Sequence, residues 1–496
     1  MGKVTTATVA CTTQGERTNT QKLADFVVDT PYEALPHEVL DITKLLILDS
    51  LVCGIAAAGV ERTRMLHRVL ERLGGREEAT VFGFERRMPS VWAAAANAEI
   101  MNFLDADDTF YNATHFAVFN VAGAIAEAQR LGASGREVIR AVALGYDINS
   151  RLELASRKIE VRDGTLRWSP VQCMGYAAFG TAASAGVVAG FDRGRMRNAF
   201  GLCAWGAPTP TAAGMQGRTA FNSFKYANNA AAAHAGMFSA LLAEEGYLGD
   251  QDVLDTKPGF LEAQGAVATD RELMMDGLGE RWWILEAAVK YYPSCRYTHG
   301  PIDAIRELMQ REKLVPEEIE LIEVRINPMA YGMKVFGLPL DEIPSDHRGA
   351  FSGQFNIPYV IALAALGRTP GPNWYAQENL QDSQVRALAA RVRLALDPVL
   401  ADEAVRAVRD TRIGRFPKTR RSLTVWARGR EYVLEGDYAG GDPWSVQTRP
   451  SWERVRQKFA EFCEDLLPER ARCDLADRIQ SLETLENVSR ELSLPW

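Results

Sequence analysis

Cysteine is scarce in this chain and is never paired in a C-x-x-C motif. Seven cysteines are scattered among 496 residues, an odd number. A disulfide scaffold, a zinc ribbon and a ferredoxin-type cluster need closely spaced or even-numbered cysteines, so this pattern argues against all three and predicts reduced thiols. We therefore expect a cytoplasmic protein. The Thr-rich, acid-poor first residues make the mitochondrial matrix the alternative in a eukaryotic cell.

Long apolar runs and an excess of basic residues are also missing. The longest apolar run, 176–191, is too short and too rich in Gly and Ala to span a bilayer, and it predicts a close-packed core helix. The net charge of −8 lacks the basic footprint of proteins that bind nucleic acids or anionic membranes. We expect neither kind of partner. A local cationic pocket for an anionic substrate is still compatible with this charge.

The length predicts more than one domain, because 496 residues exceed one ordinary core. Residues 1–20 are expected to form a flexible N-terminus. From 21 to 270 the chain is rich in Ala and shows apolar residues at helical spacing, which predicts an all-helical domain. Within it, Ser134 and Glu137 have the spacing of a capping box before an amphipathic run.

The character of the sequence changes after residue 270. The stretches 321–332 and 421–441 are rich in Val, Ile, Tyr and Trp and predict strands, whereas 353–366 and 382–396 predict helices. Residues 271–449 are therefore expected to form an α+β domain with an antiparallel sheet. Residues 450–496 are predicted to be helical again.

One short stretch concentrates the polar residues that carry chemistry. "FLDADDTFYNATHFAVFN", residues 103–120, contains Asp105, Asp107, Asp108, Thr109 and His115. D-x-D-x-T is also the signature of phosphatases with an aspartate nucleophile, but those enzymes need a buried parallel strand before the first Asp. Here the preceding "VWAAAANAEIMNFL" is helical in pattern, which argues against a phosphatase.

Three other interpretations of this stretch stay open. The chain has neither H-x-x-x-H nor a calcium-loop spacing, so no metal is predicted, although ligands scattered along the chain could still bind one. The aspartates could simply cap a helix and solvate a loop. They could also form an acid–base centre with His115.

Two later segments supply candidate partners for such a centre. Lys225 lies in a weakly charged helical stretch, where it could bind a substrate carboxylate or extend to solvent. Thr298 and Pro301 look like a helix start, which would place His299 at a helix N-terminus. The helix dipole there favours an anion and a neutral imidazole.

Together these stretches resemble the MmgE/PrpD family, which includes 2-methylcitrate dehydratase, cis-aconitate decarboxylase and an iminodisuccinate epimerase. The likeness keeps the family's order from about residue 23 to about residue 462. It is carried by "NFLDADDTFYNATH", "FKYANNAAAAHAGMFSALLAEEGYLG", "KYYPSCRYTHGPIDAI" and "FSGQFNIPYVIALA". The resemblance implies a mainly α fold with a large all-helical domain and a smaller α+β lid domain. It also implies a site between the domains, C-terminal helices that return to the helical domain, and a homodimer.

The resemblance also implies roles for individual residues. The implied catalytic residues are His115, Asp105, Lys225 and His299, and the implied substrate-binding residues are Thr109, Tyr331 and Arg296. No metal or organic cofactor is implied. His115 is expected to exchange a proton with carbon, Asp105 to orient it, and His299 to act as the partner acid.

The implied function is a cofactor-independent lyase of the dehydratase type. It would act on a small di- or tricarboxylic acid through a carbanion alpha to a carboxylate. An epimerase, a decarboxylase and an inactive family member that only binds its ligand are the alternatives. His115 is followed by Phe-Ala where members commonly have Pro-Ser, and Ser169 replaces a common His, which we interpret as an altered substrate pocket.

Overall fold

The protein is mainly α-helical, as predicted. The computed structural model describes residues 17–111, 114–169, 174–209, 224–415 and 418–492. The helices are α1 (Asn19–Asp29), α2 (His37–Ala57), α3 (Glu61–Leu73), α4 (Ser90–Asn102), α5 (Ala117–Leu131), α6 (Gly135–Ala155), α7 (Ala177–Val188), α8 (Arg193–Gly206), α9 (Phe224–Glu244), α10 (Phe260–Ala263), α11 (Arg271–Met275), α12 (Arg296–Arg311), α13 (Pro328–Gly332), α14 (Gly349–Phe355), α15 (Ile357–Ala365), α16 (Gln377–Gln381), α17 (Ser383–Ala389), α18 (Pro398–Asp410), α19 (Trp452–Cys463), α20 (Glu469–Gln480) and α21 (Val488–Glu491). The strands are β1 (Ala79–Val81), β2 (Phe84–Met88), β3 (Thr109–Phe110), β4 (Ser156–Arg157), β5 (Ile159–Arg162), β6 (Thr165–Trp168), β7 (Ala268–Thr269), β8 (Ala287–Ala288), β9 (Ile319–Ile326), β10 (Val392–Leu396), β11 (Leu423–Ala427) and β12 (Arg430–Leu434).

Helices α4 to α7 and α9 pack against one another to form the core of the helical region. Small residues permit this close approach, because a Cβ added at Gly180 in α7 would lie 2.3 Å from the Asn149 side chain in α6. Every residue of α7 is buried, so the predicted core helix is confirmed. The capping box of Ser134 and Glu137 at the start of α6 is confirmed as well.

The region 21–270 is not all-helical, which corrects the prediction. Strands β1 and β2 pair, as do β5 and β6, and β4 pairs with β7. These strands hold two to five residues each, too few to give a clear period of two. One further pair matters for the site: β3 and β8 run antiparallel, with Thr109 opposite Ala288.

A four-stranded sheet with the order β10-β9-β11-β12 forms the centre of the α+β region. It is mixed rather than antiparallel, because β10 runs parallel to β9. The helix predicted over 382–396 ends at Ala389, and its second half forms β10. That half, "RVRLAL", alternates between charged and apolar residues at first, the period of a strand.

The C-terminal helices α19 and α20 pack against α2 near the start of the chain. Ser451 is the N-cap of α19, so a helix begins close to residue 450, where the sequence predicted a return to helical structure. From α19 the buried Lys458 donates hydrogen bonds to Asp49 Oδ1 and to the carbonyl of Ala106, each at 2.6 Å. This side chain therefore links α2 to the loop that follows α4. None of the described helices combines the length and apolarity that a membrane crossing would need.

Lys458→Met is expected to lower the free energy of unfolding by about 3–5 kcal/mol, because the buried Asp49 carboxylate would lose its partner. Urea titration of the purified variant measures this change. Lys44→Met is the matched control, since Lys44 pairs with the more exposed Glu483 at 3.1 Å and its removal is expected to cost less than about 1 kcal/mol. Equal effects of the two substitutions would contradict the structural role of Lys458.

Candidate active site

The candidate site is built on the loop between α4 and α5. Asp105, Asp107 and Asp108 are all buried there, so the interpretation as a solvated loop is wrong. Asp105 has a φ of +50°, an uncommon conformation for a residue with a side chain. Such strain is frequent at functional sites, where the surrounding structure holds it in place.

Two lysines converge on the Asp105 carboxylate. Lys225 Nζ, from the first turn of α9, and Lys290 Nζ, from just beyond β8, each lie 2.7 Å from Asp105 Oδ1. Burial alone would raise the pKa of Asp105, but the ammonium groups of Lys225 and Lys290 hold that pKa well below its ordinary value. The Lys290 side chain is fully buried and that of Lys225 is 11% exposed, so Lys225 is the cation that a ligand can reach.

His115 is oriented by a second carboxylate. Its Nδ1 lies 3.0 Å from Asp107 Oδ2, and Asn102 donates to Asp107 Oδ1 at 2.7 Å. A carboxylate accepts but does not donate, so Nδ1 carries the hydrogen and Nε2 presents a lone pair. Burial lowers the pKa of His115. The Asp107 carboxylate raises this pKa and the positive charge of Lys290 lowers it. The net lowering leaves the imidazole neutral near pH 7.

Asp108 has a structural role, as the capping interpretation suggested. Its carboxylate accepts hydrogen bonds from the N–H of Ala117 at 2.9 Å and the hydroxyl of Tyr146 at 2.8 Å. It thereby accepts from the first N–H of α5, which begins two residues after His115. Burial, together with the nearby Asp107, raises the pKa of Asp108 to about 7.

Thr109 and His299 each keep a polar atom without a partner among the described residues. For Thr109 this atom is Oγ1, and for His299 it is Nδ1, while His299 Nε2 lies 3.2 Å from the Ser294 carbonyl. Burial, and then the charge of Arg296, lower the pKa of His299 well below its ordinary value. The helix that carries His299 begins at Arg296, earlier than predicted, and Pro301 lies inside it.

Two predicted substrate-binding residues do not join this cluster. The Arg296 guanidinium pairs with Asp442 and also donates to the carbonyls of Val289 and Gly440 at 3.2 Å each. Binding a substrate would require Arg296 to leave that buried pair. Tyr331 lies on α13 with 53% of its surface exposed, and no described contact joins it to the cluster.

Sequence reasoning missed Lys290 and did not give Asp107 its role beside His115. A weak signal for Lys290 was present, because it stands alone between the apolar "AAV" and "YYP". A lone lysine in an apolar run needs a buried partner. The pairing of β3 with β8 brings it next to Asp105, and a two-residue ladder cannot be predicted from sequence alone.

The same residues have the spacing of a metal site, since ligand atoms of Asp105, Asp107 and His115 lie within 4.8 Å of one another. Yet the ammonium groups of Lys225 and Lys290 already neutralise Asp105, and a divalent ion would face both of them. The arrangement fits proton transfer beside an anionic ligand better than it fits a cation site.

Dialysis against EDTA is therefore expected to leave turnover unchanged. The measurement compares initial rates before and after dialysis, with metal content determined on the same sample. A loss of activity that Mg²⁺, Mn²⁺ or Zn²⁺ restores would contradict this expectation.

Comparison with known proteins agrees with the resemblance in the sequence. The MmgE/PrpD N-terminal domain model matches residues 21–269, and the MmgE/PrpD C-terminal domain model matches residues 292–483. The cis-aconitate decarboxylase of Mus musculus is 27% identical over 395 residues, which cover 76% of each chain. The cis-aconitate decarboxylase of Homo sapiens is 27% identical over 73% of this chain and 74% of its own, and that of Aspergillus terreus is 23% identical over 75% and 77%. The chain therefore belongs to the MmgE/PrpD family.

Proposed function

We propose that the protein is a cofactor-independent lyase that removes a carboxylate, as CO₂, from a small di- or tricarboxylic acid. The carrying observation is the position of His115, which Asp107 orients next to the accessible cation of Lys225. The names of the relatives support decarboxylation rather than the dehydration that the sequence favoured.

The substrate is expected to place one carboxylate on Lys225. Its ammonium group is the more accessible of the two, and the Thr109 hydroxyl is free among the described residues to donate a further hydrogen bond. The charge of Lys290 contributes to the same positive field from the buried side. A carbanion next to the bound carboxylate would be stabilised there, because preorganised positive groups act strongly in a water-poor site.

The chemical step then needs one proton. The bond to the departing carboxylate breaks, CO₂ leaves, and the electron pair stays on the remaining chain as a carbanion conjugated with a second carboxylate. His115 Nε2 delivers a proton to carbon. A polyanionic substrate raises the pKa of His115 on binding, and the Asp107 carboxylate stabilises the imidazolium.

Dehydration is the second candidate, favoured by the neutral state of His115 in the free protein. In that reaction His115 would take the alpha proton and a second group would protonate the departing hydroxyl. His299 was the predicted acid, but burial and the charge of Arg296 hold its imidazole neutral. This makes His299 a poor acid and is the reason why we place decarboxylation first.

Proton NMR in D₂O tests the reaction. Purified protein is incubated with cis-aconitate, citrate, 2-methylcitrate, malate, tartrate or iminodisuccinate, and CO₂ release is measured in parallel. We expect CO₂ and a deuterium-labelled product from one tricarboxylate or dicarboxylate. An alkene signal without CO₂ would identify dehydration, and alpha-proton exchange alone would identify epimerisation. If no acid reacts but one raises the melting temperature, the protein is an inactive binding member and the proposal is wrong.

The pH dependence of kcat/KM tests the role of His115. With His115 as proton donor, the rate is expected to fall as pH rises through the lowered pKa of that group, below the usual histidine value of about 6.5. Asp107→Asn removes a carboxylate that raises the pKa of His115. The pH at which kcat/KM falls should therefore be lower in this variant than in the wild type. A rate that instead falls on acidification would identify His115 as a base and favour dehydration. If kcat/KM of Asp107→Asn instead falls at a higher pH than that of the wild type, the pairing of His115 with Asp107 is contradicted.

A further inference from the structure

One buried amide connects the two halves of the candidate active site. Asn102 is the last residue of α4, and 1% of its surface is exposed. Its Nδ2 donates to Asp107 Oδ1 at 2.7 Å, and its Oδ1 accepts from Lys225 Nζ at 3.3 Å. Asp107 orients His115, whereas Lys225 is the cation that a ligand can reach. A single side chain therefore links the carboxylate behind the proton carrier to the group that binds the substrate.

The partners of this amide leave it one orientation. A carboxylate accepts hydrogen bonds and an ammonium group donates them, so Nδ2 must face Asp107 and Oδ1 must face Lys225. Asp107 then has one oxygen on Asn102, and its other oxygen, Oδ2, lies 3.0 Å from His115 Nδ1. The direct distance from Asn102 Nδ2 to His115 Nδ1 is 3.5 Å, longer than either of these contacts. The Asp107 carboxylate is thus held between two donors.

We propose that Asn102 is a positioning residue that holds the Asp107 carboxylate and the Lys225 ammonium group in a fixed relation, and thereby places His115 relative to a bound substrate. Its part in turnover rests on the proposed function. Its control of His115 through hydrogen bonds does not, so the two can be tested separately.

Asn102→Leu is expected to lower kcat about 10- to 100-fold while KM changes less than about threefold, because a misplaced proton carrier costs rate more than binding. Lys225 keeps its ion pair with Asp105 at 2.7 Å and still presents its charge to the substrate. Steady-state kinetics on the acid that reacts in the NMR panel measure both constants. A folded Asn102→Leu protein with the kcat of the wild type would overturn the proposal.

Asn97→Leu is the matched control. Asn97 is a buried asparagine of the same helix, α4, and its side chain also makes two hydrogen bonds, from the N–H of Phe82 at 3.1 Å and to the carbonyl of Thr80 at 2.9 Å. Both variants should lose stability, as urea titration measures. Only Asn102→Leu should lose kcat, and an equal loss in Asn97→Leu would mean that Asn102 is merely structural.

Substitution of Asp107 shows how the amide of Asn102 acts on His115. In Asp107→Asn the new side chain has one oxygen and one NH₂ group where the wild type has two oxygens. Asn102 Nδ2 still needs an acceptor, because its Oδ1 stays on Lys225. The new oxygen is therefore expected to face Asn102, and the new NH₂ group to face His115 Nδ1, which must then accept. The hydrogen of His115 should move to Nε2.

The double variant Asn102→Asp/Asp107→Asn should reverse this change. The carboxylate at position 102 accepts from both Lys225 and the amide at position 107, so the oxygen of that amide faces His115. We expect the hydrogen to return to Nδ1. We also expect kcat to exceed that of Asp107→Asn about tenfold, as coupling between contacting residues allows.

Nitrogen NMR of protein labelled in its six histidine rings measures the tautomer, with His115→Ala identifying the signals of His115. The spectra are recorded at about pH 8, above the lowered pKa of His115. We expect Nδ1–H in the wild type and the double variant, and Nε2–H in Asp107→Asn. Nδ1–H in Asp107→Asn, or Nε2–H in either of the other two proteins, would overturn the proposal. If the tautomers are as expected but no acid reacts, the placement of His115 by Asn102 stands and the proposed lyase function fails.

Discussion

His115→Ala is expected to reduce kcat by a factor of about 10²–10⁴, the usual contribution of a positioned acid or base. His115 Nε2 lies 3.7 Å from Asp105 Oδ1 inside the cluster, while its Nδ1 is held by Asp107 at 3.0 Å. Alanine removes the proton carrier but leaves Lys225 and its charge in place. Steady-state kinetics on the substrate identified by NMR measure the loss.

His37→Ala is the control, because His37 is exposed at the start of α2, away from the cluster. It should retain wild-type kcat. The circular dichroism spectrum and the urea midpoint of His115→Ala establish that the variant is folded. A folded His115→Ala protein with kcat near that of the wild type would show that another group carries the proton.

Lys290→Met is expected to be the most damaging single substitution in the site, because it affects both stability and activity. Lys290 Nζ donates to Asp105 at both Oδ1, 2.7 Å away, and the main-chain carbonyl, 2.5 Å away, and it is fully buried. Without it the Asp105 carboxylate stays buried with Lys225 as its nearest cation. We expect the free energy of unfolding to fall by about 3–5 kcal/mol.

The stability loss should depend on pH with a definite sign. In the wild type the pKa of Asp105 is held below its ordinary value, so the stabilisation is present at neutral pH and is lost as pH falls through the folded-state pKa. In Lys290→Met, burial raises that pKa relative to the wild type. The difference between the two proteins should therefore shrink on acidification. A difference that stays constant from pH 7 down to pH 2 would contradict the ion pair as its cause.

Lys225→Met tests whether Lys225 and Lys290 contribute differently to stability. Lys225 shares Asp105 Oδ1 as its partner but keeps 11% of its side chain exposed, so water can partly replace it. We expect a smaller loss of stability than for Lys290→Met and a comparable loss of kcat/KM. Equal losses of stability would mean that both lysines are structural.

The sequence was sufficient for the residues that lie close together in the chain or in a recognisable motif. Asp105, Thr109 and His115 fall within one loop, and Lys225 was singled out because a charge stood in an otherwise weakly charged helix. The structure brings Lys225 to the Asp105 carboxylate at 2.7 Å. The partners fixed by distant contacts could not be found this way, since Lys290 reaches Asp105 only through the short pairing of β3 with β8.

The fold shows the same division between local and distant information. The strands β11 and β12 were predictable because their stretch is rich in β-forming residues and is interrupted by Gly429. In the structure Arg428 and Gly429, both at positive φ, form the two-residue turn that joins them. The parallel partner β10 was not predictable, because "RALAARVRLAL" contains good helix formers throughout and the sheet decides where the helix stops. Tertiary pairing overrides local propensity at such positions.

The contact of Lys458 with Ala106 has a consequence for the order in which the protein is made. The loop that carries Asp105 and Asp107 leaves the ribosome early, but the donor for its Ala106 carbonyl emerges some 350 residues later, as a separation of 352 positions implies. A nascent chain that ends before α19 contains every group assigned to the chemistry. It lacks Lys458, whose hydrogen bonds hold the loop of Asp105 and Asp107 against α2. Activity should therefore arise at the end of synthesis rather than with the helical region, and a separately produced peptide spanning α19 and α20 should restore it to a chain truncated after residue 449.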